Sequence, residues 1–378
     1  RYFKAHRMRV LMVGGEYPPH NSGGLGVAGR GITRGLVDQG VSVVFVLPKK
    51  FSTTDSHVTF VNLDVNCPLP GEVVVETVDA SLTPYATSTS YLSGQFDLPN
   101  GLYGPTLFAE VMRYGVLARD IARKHSFDVI HAHDWLSFLA GIEAKRISGK
   151  PLVVHVHATG FDQGGGEHAD SRVYAIEKRG MEYADRIVAV SQFTKDIIVK
   201  KYFISPDKID VVHNGIEYQA PAGRSEWVPK LHFAKTGKKV VLYVGRLTLQ
   251  KGVDHFLLAA KKVIEHEPNT LFVVAGSGDM EFQLIRQSAE FGIAEHVLFV
   301  GFQRGPELDA LYHDADLFVL PSVSEPFGLT ALEAASFGTP VLLSKQSGVQ
   351  EVLKHALRAD FWDTDEMANK NPFYRKVY

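Results

Sequence analysis

Short, continuous runs of apolar residues alternate with longer amphipathic segments through most of the 378-residue chain. The runs are rich in Val and Ile and do not alternate with polar residues, a pattern typical of strands buried on both faces of a parallel sheet. In the first half of the chain they predict strands at residues 9–13, 41–47, 128–133, 152–157, 186–191 and 209–214. A helix with one apolar stripe is predicted at 25–39.

A second series of the same kind begins near residue 239. It predicts strands at 239–245, 271–276, 296–301, 317–321 and 340–344. The helical patterns between them lie at 253–267, 280–291, 306–315 and 329–337. Strand–helix alternation of this length predicts an α/β protein with two doubly wound, Rossmann-like parallel sheets.

A change in composition divides the two series. Residues 219–239 contain two prolines and two glycines and lose the apolar periodicity, as expected of a linker. The sequence therefore predicts an N-terminal domain at 1–218, with an irregular insertion at 52–100 that holds two edge strands, and a C-terminal domain at 240–378. Ligands of open α/β sheets bind beyond the carboxyl ends of the strands, so we expect the site at a cleft between the domains.

Composition excludes several classes of function. Apolar residues make up 45% and charged residues 22% of the chain, and the net charge of −2 gives no basic field for nucleic acid or an anionic membrane. No apolar run approaches the ~20 residues of a transmembrane helix. Cys67 is the single cysteine, so a disulfide within the chain is impossible, and a reducing, cytoplasmic location is expected.

The stretch GLGVAG at 24–29 matches the G-x-G-x-x-G fingerprint of a dinucleotide-binding turn. Ten residues separate it from the predicted strand, however, and the second strand is followed by Lys49 and Lys50 instead of a ribose-binding acid. These lysines leave an NADP interpretation open but weak. The other interpretations are a flexible turn before a helix, and a loop of N–H groups at a helix N-terminus that faces an anionic ligand.

Two cations follow the first strand of the second series, in the stretch GRLTLQKG. Arg246 and Lys251 lie in a strand-to-helix loop, where a planar guanidinium and a point charge are suited to bind a diphosphate. The alternative is a pair of solvated surface cations.

Two carboxylates follow a later strand, in the stretch EPFGLTALE. Glu325 lies in a loop and Glu333 about one turn into the next helix, and a carboxylate accepts hydrogen bonds from the hydroxyl groups of a sugar or a ribose. The alternatives are an exposed loop acid and a residue that interacts with the helix dipole. Ser347 and Gly348 begin another predicted helix, a candidate phosphate-binding nest.

Four histidines end two of the predicted strands. His131 and His133 share one face of their strand, and so do His155 and His157, because side chains repeat every two residues along a strand. Three of the imidazoles could in principle bind zinc. No cysteine or H-E-x-x-H pattern accompanies them, and strand-end histidines often form hydrogen bonds in clefts, so no metal is expected.

The ordered set of motifs resembles a known family. GG-L in the first loop, HAHDW at 131–135, GR-x4-KG, EPFGLTALE and SGV-x-E-V are similar to motifs of the retaining GT-B glycosyltransferases that include bacterial and archaeal glycogen and starch synthases. The resemblance covers nearly the whole chain. It implies GT-B architecture, in which two Rossmann-like domains face each other across a cleft.

The resemblance also implies roles for individual residues. Arg246 and Lys251 would bind the donor diphosphate, Glu325 the hydroxyls of the donor sugar, and Glu333 the ribose. His157 would lie beside the donor sugar. The glycine pair beside the phosphates and the acceptor matches Gly23 and Gly24.

The reaction implied is retaining transfer of a hexosyl group, with glucosyl favoured, from a nucleotide-diphospho-sugar such as UDP-glucose or ADP-glucose to a carbohydrate acceptor such as an α-glucan. The family's front-face mechanism needs no metal, no cofactor and no general base. A double displacement would need a carboxylate under the sugar, for which Asp134 and Glu325 stay open. A nucleotide-sugar epimerase and a non-catalytic sugar-nucleotide-binding module are the alternatives.

Two departures from the family bear on this prediction. Bacterial glycogen synthases carry a lysine two residues before the glycine pair, where this chain has Asn21, which puts the donor and the glucan acceptor in question. The family's C-terminal helix that crosses back to the first domain is not found up to residue 378, either because this protein lacks it or because the sequence stops before it.

Overall fold

A computed structural model describes residues 7–17, 24–48, 58–60, 73–77, 107–217 and 237–372, the two shortest segments by backbone alone. The chain divides into two compact units. The first comprises Arg1–Thr159, Asp170–Val190 and Thr194–His213, and the second comprises Gly160–Ala169, Ser191–Phe193 and Asn214–Tyr378.

The first unit is built on a parallel sheet of eight strands. The strands are β1 (Arg9–Val13), β2 (Ser42–Leu47), β3 (Val58–Phe60), β4 (Val73–Thr77), β5 (Val129–His133), β6 (Leu152–Val156), β7 (Arg186–Ala189) and β8 (Ile209–Val211). Their order is β3-β4-β2-β1-β5-β6-β7-β8. The continuous apolar runs of β1 and β2 are buried, as expected for central strands of a sheet covered on both faces.

The helices along this part of the chain are α1 (Gly24–Asp38), α2 (Leu107–Lys124), α3 (Trp135–Ser148), α4 (Gly160–Gln163), α5 (Ser171–Tyr183) and α6 (Gln192–Tyr202). The single turn α4 belongs to the second unit. Helix α3 is buried from Trp135 to Ile142, and this part of its sequence is apolar on all sides and not in one stripe.

The second unit is built on a parallel sheet of six strands. These are β9 (Lys239–Val244), β10 (Thr270–Ala275), β11 (Val297–Gly301), β12 (Leu317–Leu320), β13 (Val341–Ser344) and β14 (Leu357–Ala359), in the order β11-β10-β9-β12-β13-β14. Helices α7 (Val253–His266), α8 (Glu281–Glu290), α9 (Pro306–Asp314), α10 (Leu329–Ser336) and α11 (Thr364–Asn369) connect or follow them. Buried residues of β9, β10 and α7 form its main apolar core.

Most of the predicted elements are confirmed. The five predicted helices differ from the observed α1 and α7–α10 by at most one residue at either end. Strand β14 was not predicted. Of the two strands expected at the edge within 52–100, β3 is at the edge but β4 lies between β3 and β2, so the prediction is wrong for β4. Most of that insertion, and residues 219–236 of the predicted linker, lie outside the described residues.

The packing of α5 on α3 leaves no room for a side chain at Gly180. A Cβ atom added there would lie 2.4 Å from Cδ2 of Phe138, whose side chain is 1% exposed.

We expect Gly180→Ala to lower the Tm, because overpacking a rigid core costs about 1–3 kcal/mol. Gly35→Ala is the matched control, since Gly35 is an exposed residue of α1 with no heavy atom within 4 Å of the added Cβ. Alanine should stabilise α1 there by about 0.5–1 kcal/mol. Equal Tm values for the two variants in thermal melts would contradict this packing.

Candidate functional site

The loop between β9 and α7 carries the two predicted cations. Tyr243, a buried residue of β9, donates a hydrogen bond of 2.7 Å from its hydroxyl to the carbonyl oxygen of Arg246, which fixes the start of the loop. The loop ends at Gly252, where φ is 63° and an added Cβ would lie 2.2 Å from the carbonyl oxygen of Pro321. Only glycine fits this position, and the close approach brings Lys251 against the loop that follows β12.

An ion pair joins these two loops. Lys251 Nζ lies 2.7 Å from Glu325 Oε2, and the two side chains are 17% and 7% exposed. The hydroxyl of Ser322 donates to the same carboxylate oxygen at 2.9 Å. The predicted diphosphate cation and the predicted sugar-binding carboxylate therefore lie together, each partly neutralised by the other.

A second link between the loops passes through Gln250. Arg246 Nη2 donates to Gln250 Oε1 at 3.3 Å, and Gln250 Nε2 donates to the carbonyl oxygen of Ser324 at 3.1 Å. Burial, and to a lesser extent the charge of Glu325, raises the pKa of the Tyr243 phenol, while Arg246 lowers it. Gln250 and Ser322 were not predicted as site residues; Gln250 reaches Ser324, 74 residues away, whereas Ser322 contacts the nearby Glu325.

Ser347 and Gly348 also belong to this group, but they do not begin an α-helix. Ser347 precedes and Gly348 begins a 3₁₀ turn of four residues, Gly348–Glu351. The N–H of Gly348 donates to the carbonyl oxygen of Glu325 at 2.9 Å, and the N–H of Val349 to that of Phe327 at 2.7 Å. These two donors support the backbone of the Glu325 loop, and the phosphate role of Ser347 and Gly348 stays a prediction.

Glu333 is the fifth residue of α10, beyond the first turn where a helix dipole acts most strongly. Its Oε2 accepts a hydrogen bond of 2.7 Å from the hydroxyl of Tyr312 on α9. Burial raises the pKa of the Glu333 carboxyl, Tyr312 opposes this shift, and the nearby charge of Asp309 adds to it. The Glu333 carboxylate thus lies in poorly solvated surroundings, which lowers the stability of the protein when no ligand is bound.

The four predicted histidines lie together in the first unit, on β5 and at the end of β6. His133 is paired with His155 across the two strands, and the rings of His155 and His157 stack with centroids 4.2 Å apart. The His133 Nδ1 and His157 Nε2 atoms are 2.9 Å apart, within hydrogen-bonding distance. Burial lowers the pKa of His131 to about 4 and that of His157 to about 3. Burial also lowers the pKa of His133 and His155. All four rings are therefore neutral at neutral pH.

Asp134 links β5 to the segment after β6. Its Oδ1 accepts hydrogen bonds from the N–H groups of His157, at 2.6 Å, and Ala158, at 3.3 Å. The backbone of Asp134 has φ 57° and ψ 170°, a region that residues other than glycine rarely adopt and that is usually retained where function requires it. The carboxylate therefore orients His157.

The glycine-rich loop is described only in part, because Gly23 lies outside the described residues. Gly24 is the exposed first residue of α1. Glu16, whose side chain is 3% exposed, accepts a hydrogen bond of 2.8 Å from the N–H of Gly26. One donor at this helix N-terminus is thus occupied by a carboxylate of the protein itself, a contact that no sequence motif indicated.

The predicted site residues form two groups. Arg246, Lys251, Glu325, Ser347 and Gly348 are connected within the second unit, where Glu333 also lies, and His157, Asp134 and Gly24 lie in the first unit. Among the described residues, no helix combines the length and apolar character needed to cross a membrane.

Comparisons with known proteins cover both halves of the chain. The family described as Glycosyltransferase Family 4 matches residues 22–220, and Glycosyl transferases group 1 matches residues 226–365. An uncharacterized glycosyltransferase of Methanocaldococcus jannaschii is 32% identical over 360 residues, covering 92% of this chain and 83% of the relative. A glycogen synthase of Mycobacterium tuberculosis is 33% identical over 355 residues, covering 92% of this chain and 80% of the relative.

The fold resembles that of solved glycosyltransferase structures. The Anabaena protein HepE, in complex with UDP and glucose, superimposes with a TM-score of 0.68 at 20% identity, covering 96% of this chain and 88% of that one. The predicted GT-B fold class is confirmed, with two doubly wound parallel sheets. The two family matches and the identity to these relatives show that the chain belongs to the GT-B glycosyltransferases. Its first half matches family 4 and its second half matches group 1.

Proposed function

We propose that this glycosyltransferase moves a glucosyl group, with retention of configuration, from a nucleotide-diphospho-sugar to a carbohydrate acceptor. The observation that carries the proposal is the Lys251–Glu325 ion pair, with Arg246 connected to it through Gln250. Cations suited to a diphosphate and a carboxylate suited to sugar hydroxyls are held in one hydrogen-bonded group. The name of the mycobacterial relative and the UDP and glucose bound to HepE support glucosyl as the transferred group.

Arg246 and Lys251 stabilise the negative charge that develops on the departing diphosphate, which is the main electrostatic demand of the reaction. Lys251 is held by Glu325 before any ligand binds, so little reorganisation is needed. Glu325 accepts hydrogen bonds from the hydroxyl groups of the donor sugar, and Glu333 from those of the ribose. The transfer step itself requires no metal and no cofactor in this proposal.

In this mechanism the bond from the anomeric carbon to the diphosphate oxygen breaks, and a bond to the acceptor oxygen forms on the same face of the sugar. The acceptor proton passes to the departing phosphate oxygen, so no protein group acts as general base. His157 is neutral, since its pKa is lowered to about 3 by burial, and it contributes hydrogen bonding at the donor sugar without acting as an acid. Asp134 acts by fixing the backbone of His157.

The first test removes the cations one at a time. We expect Arg246→Ala and Lys251→Ala each to lower kcat by about 10²–10³-fold, as losses of transition-state charge stabilisation do. Lys251→Ala should also lower the Tm, since an unpaired buried carboxylate costs on the order of 3 kcal/mol. Rates are therefore compared below the melting transition of every variant, with UDP-glucose and ADP-glucose as donors.

Lys239→Ala is the matched control for these variants. Lys239 begins β9 at the opposite end of the strand, and its exposed side chain lies 3.1 Å from Asp316. Its removal should leave kcat unchanged. Near-normal kcat in both Arg246→Ala and Lys251→Ala would refute the diphosphate role.

The second test separates the two carboxylates. Glu325→Gln should mainly lower kcat, because its contacts at the transferred sugar tighten in the transition state. Glu333→Gln should mainly raise the KM for the donor, by about 10–150-fold, which corresponds to the roughly 1.5–3 kcal/mol of a hydrogen bond to a charged acceptor. Steady-state kinetics with varied donor measures both. The reverse pattern would show that the two roles are wrongly assigned.

The third test uses the raised pKa of Glu333. A folded-state pKa above the unfolded value means that the protonated form favours the fold, and that this contribution is lost as pH rises through the folded-state pKa. Glu333→Gln keeps an oxygen that can accept from Tyr312 and removes the charge. We expect its Tm to exceed that of the wild type at pH 8 by a few degrees, since ~1 kcal/mol corresponds to about 2–4 °C in a domain of this size.

The difference in Tm should disappear towards pH 4, where the wild-type carboxyl is protonated. Glu290→Gln, which changes an exposed carboxylate on α8, should show no such pH-dependent difference. A lower Tm for Glu333→Gln at pH 8 would show that the charge stabilises the free protein.

A further inference from the structure

Three histidines of the first unit bring ring nitrogens together. One ligand atom from each of His131, His133 and His155 lies within 4.8 Å of the other two. Two of these rings come from β5 and one from β6, and the parallel pairing sets His133 directly opposite His155. The arrangement is therefore fixed by the sheet and does not depend on a mobile loop.

The ring nitrogens that face this group lack hydrogen-bond partners. Among the described residues, His131 Nε2, His133 Nε2 and both ring nitrogens of His155 are buried without a partner. His133 and His155 are only 2% and 4% exposed, so bulk water does not satisfy these atoms. Buried polar atoms are almost always paired, and four unpaired nitrogens in one cluster indicate a missing partner.

The geometry suits a cation, because three imidazoles from two adjacent strands each offer a ring nitrogen within 4.8 Å of the other two. The contact between His133 Nδ1 and His157 Nε2 resembles the outer-shell hydrogen bond that orients most metal-binding histidines. It leaves the Nε2 lone pair of His133 directed away from His157.

We propose, against the expectation from the sequence, that His131, His133 and His155 form a binding site for a divalent cation of the zinc class. Three imidazoles without thiolate or carboxylate ligands suit Zn²⁺ and Co²⁺, with a fourth position open to water. Zinc–nitrogen bonds of about 2.0–2.1 Å require ring nitrogens about 3.4 Å apart, so the rings turn slightly inwards on binding. His131 is only partly buried and offers the route of entry.

Metal on Nε2 of His133 would place the remaining ring proton on Nδ1, as a donor to His157 Nε2. The cation would then fix the tautomer and orientation of His157 through one intervening ring. The site has a positioning role and takes no part in bond breaking, so it is compatible with a transfer step that requires no metal.

The test is a titration of the untagged, metal-stripped full chain with Co²⁺, followed by visible absorption, with Zn²⁺ as competitor. We expect one Co²⁺ per chain with the d–d bands of a low-coordinate nitrogen site, and loss of these bands when Zn²⁺ is added. Zn²⁺ should also raise the Tm of the wild type. A chain that gives no such bands, or that binds Co²⁺ only weakly at several sites, would overturn the proposal.

Histidine variants test whether Co²⁺ binds at this cluster. His131→Gln changes the least buried ligand and should weaken Co²⁺ binding at least about 10-fold while the protein stays folded by circular dichroism. His157→Gln, which changes the outer partner, should weaken it by about 10–100-fold without abolishing it. His313→Gln, an exposed histidine of α9, is the matched control and should bind as the wild type does. Unchanged binding in His131→Gln would refute the site.

Discussion

The ion pair of Lys251 and Glu325 is the contact on which the candidate site of the second unit depends. It joins the loops that follow β9 and β12, which are neighbours in the sheet. Removing two charges from water is costly, and a buried pair often adds no net stability. In the proposed function the pair prepares the site for its ligand, since the free energy spent on desolvating both groups during folding does not have to be spent again during the reaction.

Both units are built on a parallel sheet, but they gather different kinds of polar side chain at its carboxyl edge. In each, the carboxyl ends of adjacent parallel strands gather polar side chains: β5 and β6 in the first unit, β9 and β12 in the second. The first unit gathers neutral imidazoles, kept uncharged by burial. The second gathers an ammonium and a carboxylate in an ion pair, with a guanidinium linked to them through Gln250. A parallel sheet thus determines where the polar side chains gather, and the types of side chain determine the chemistry there.

The sequence was most informative where local pattern decides structure. Strands such as β1 and β9 were predicted because each is a continuous apolar run that ends near a glycine. Strand β14 was missed because it has three residues at the sheet edge, one of them Arg358, and so lacks an apolar run. The motif positions of Arg246, Lys251, Glu325 and Glu333 were predictable, whereas their partners were not. Tyr312 lies 21 residues from Glu333, and Lys251 lies 74 residues from Glu325, so only the folded sheet brings them together.

The carboxylate of Glu16 at the N-terminus of α1 has a consequence for which molecules this end of the helix can accept. Helix N-termini attract anions, but here a negative charge from the protein already lies beside the first turn. An anion that binds at this end of α1 would therefore have to compete with the Glu16 carboxylate for the N–H of Gly26.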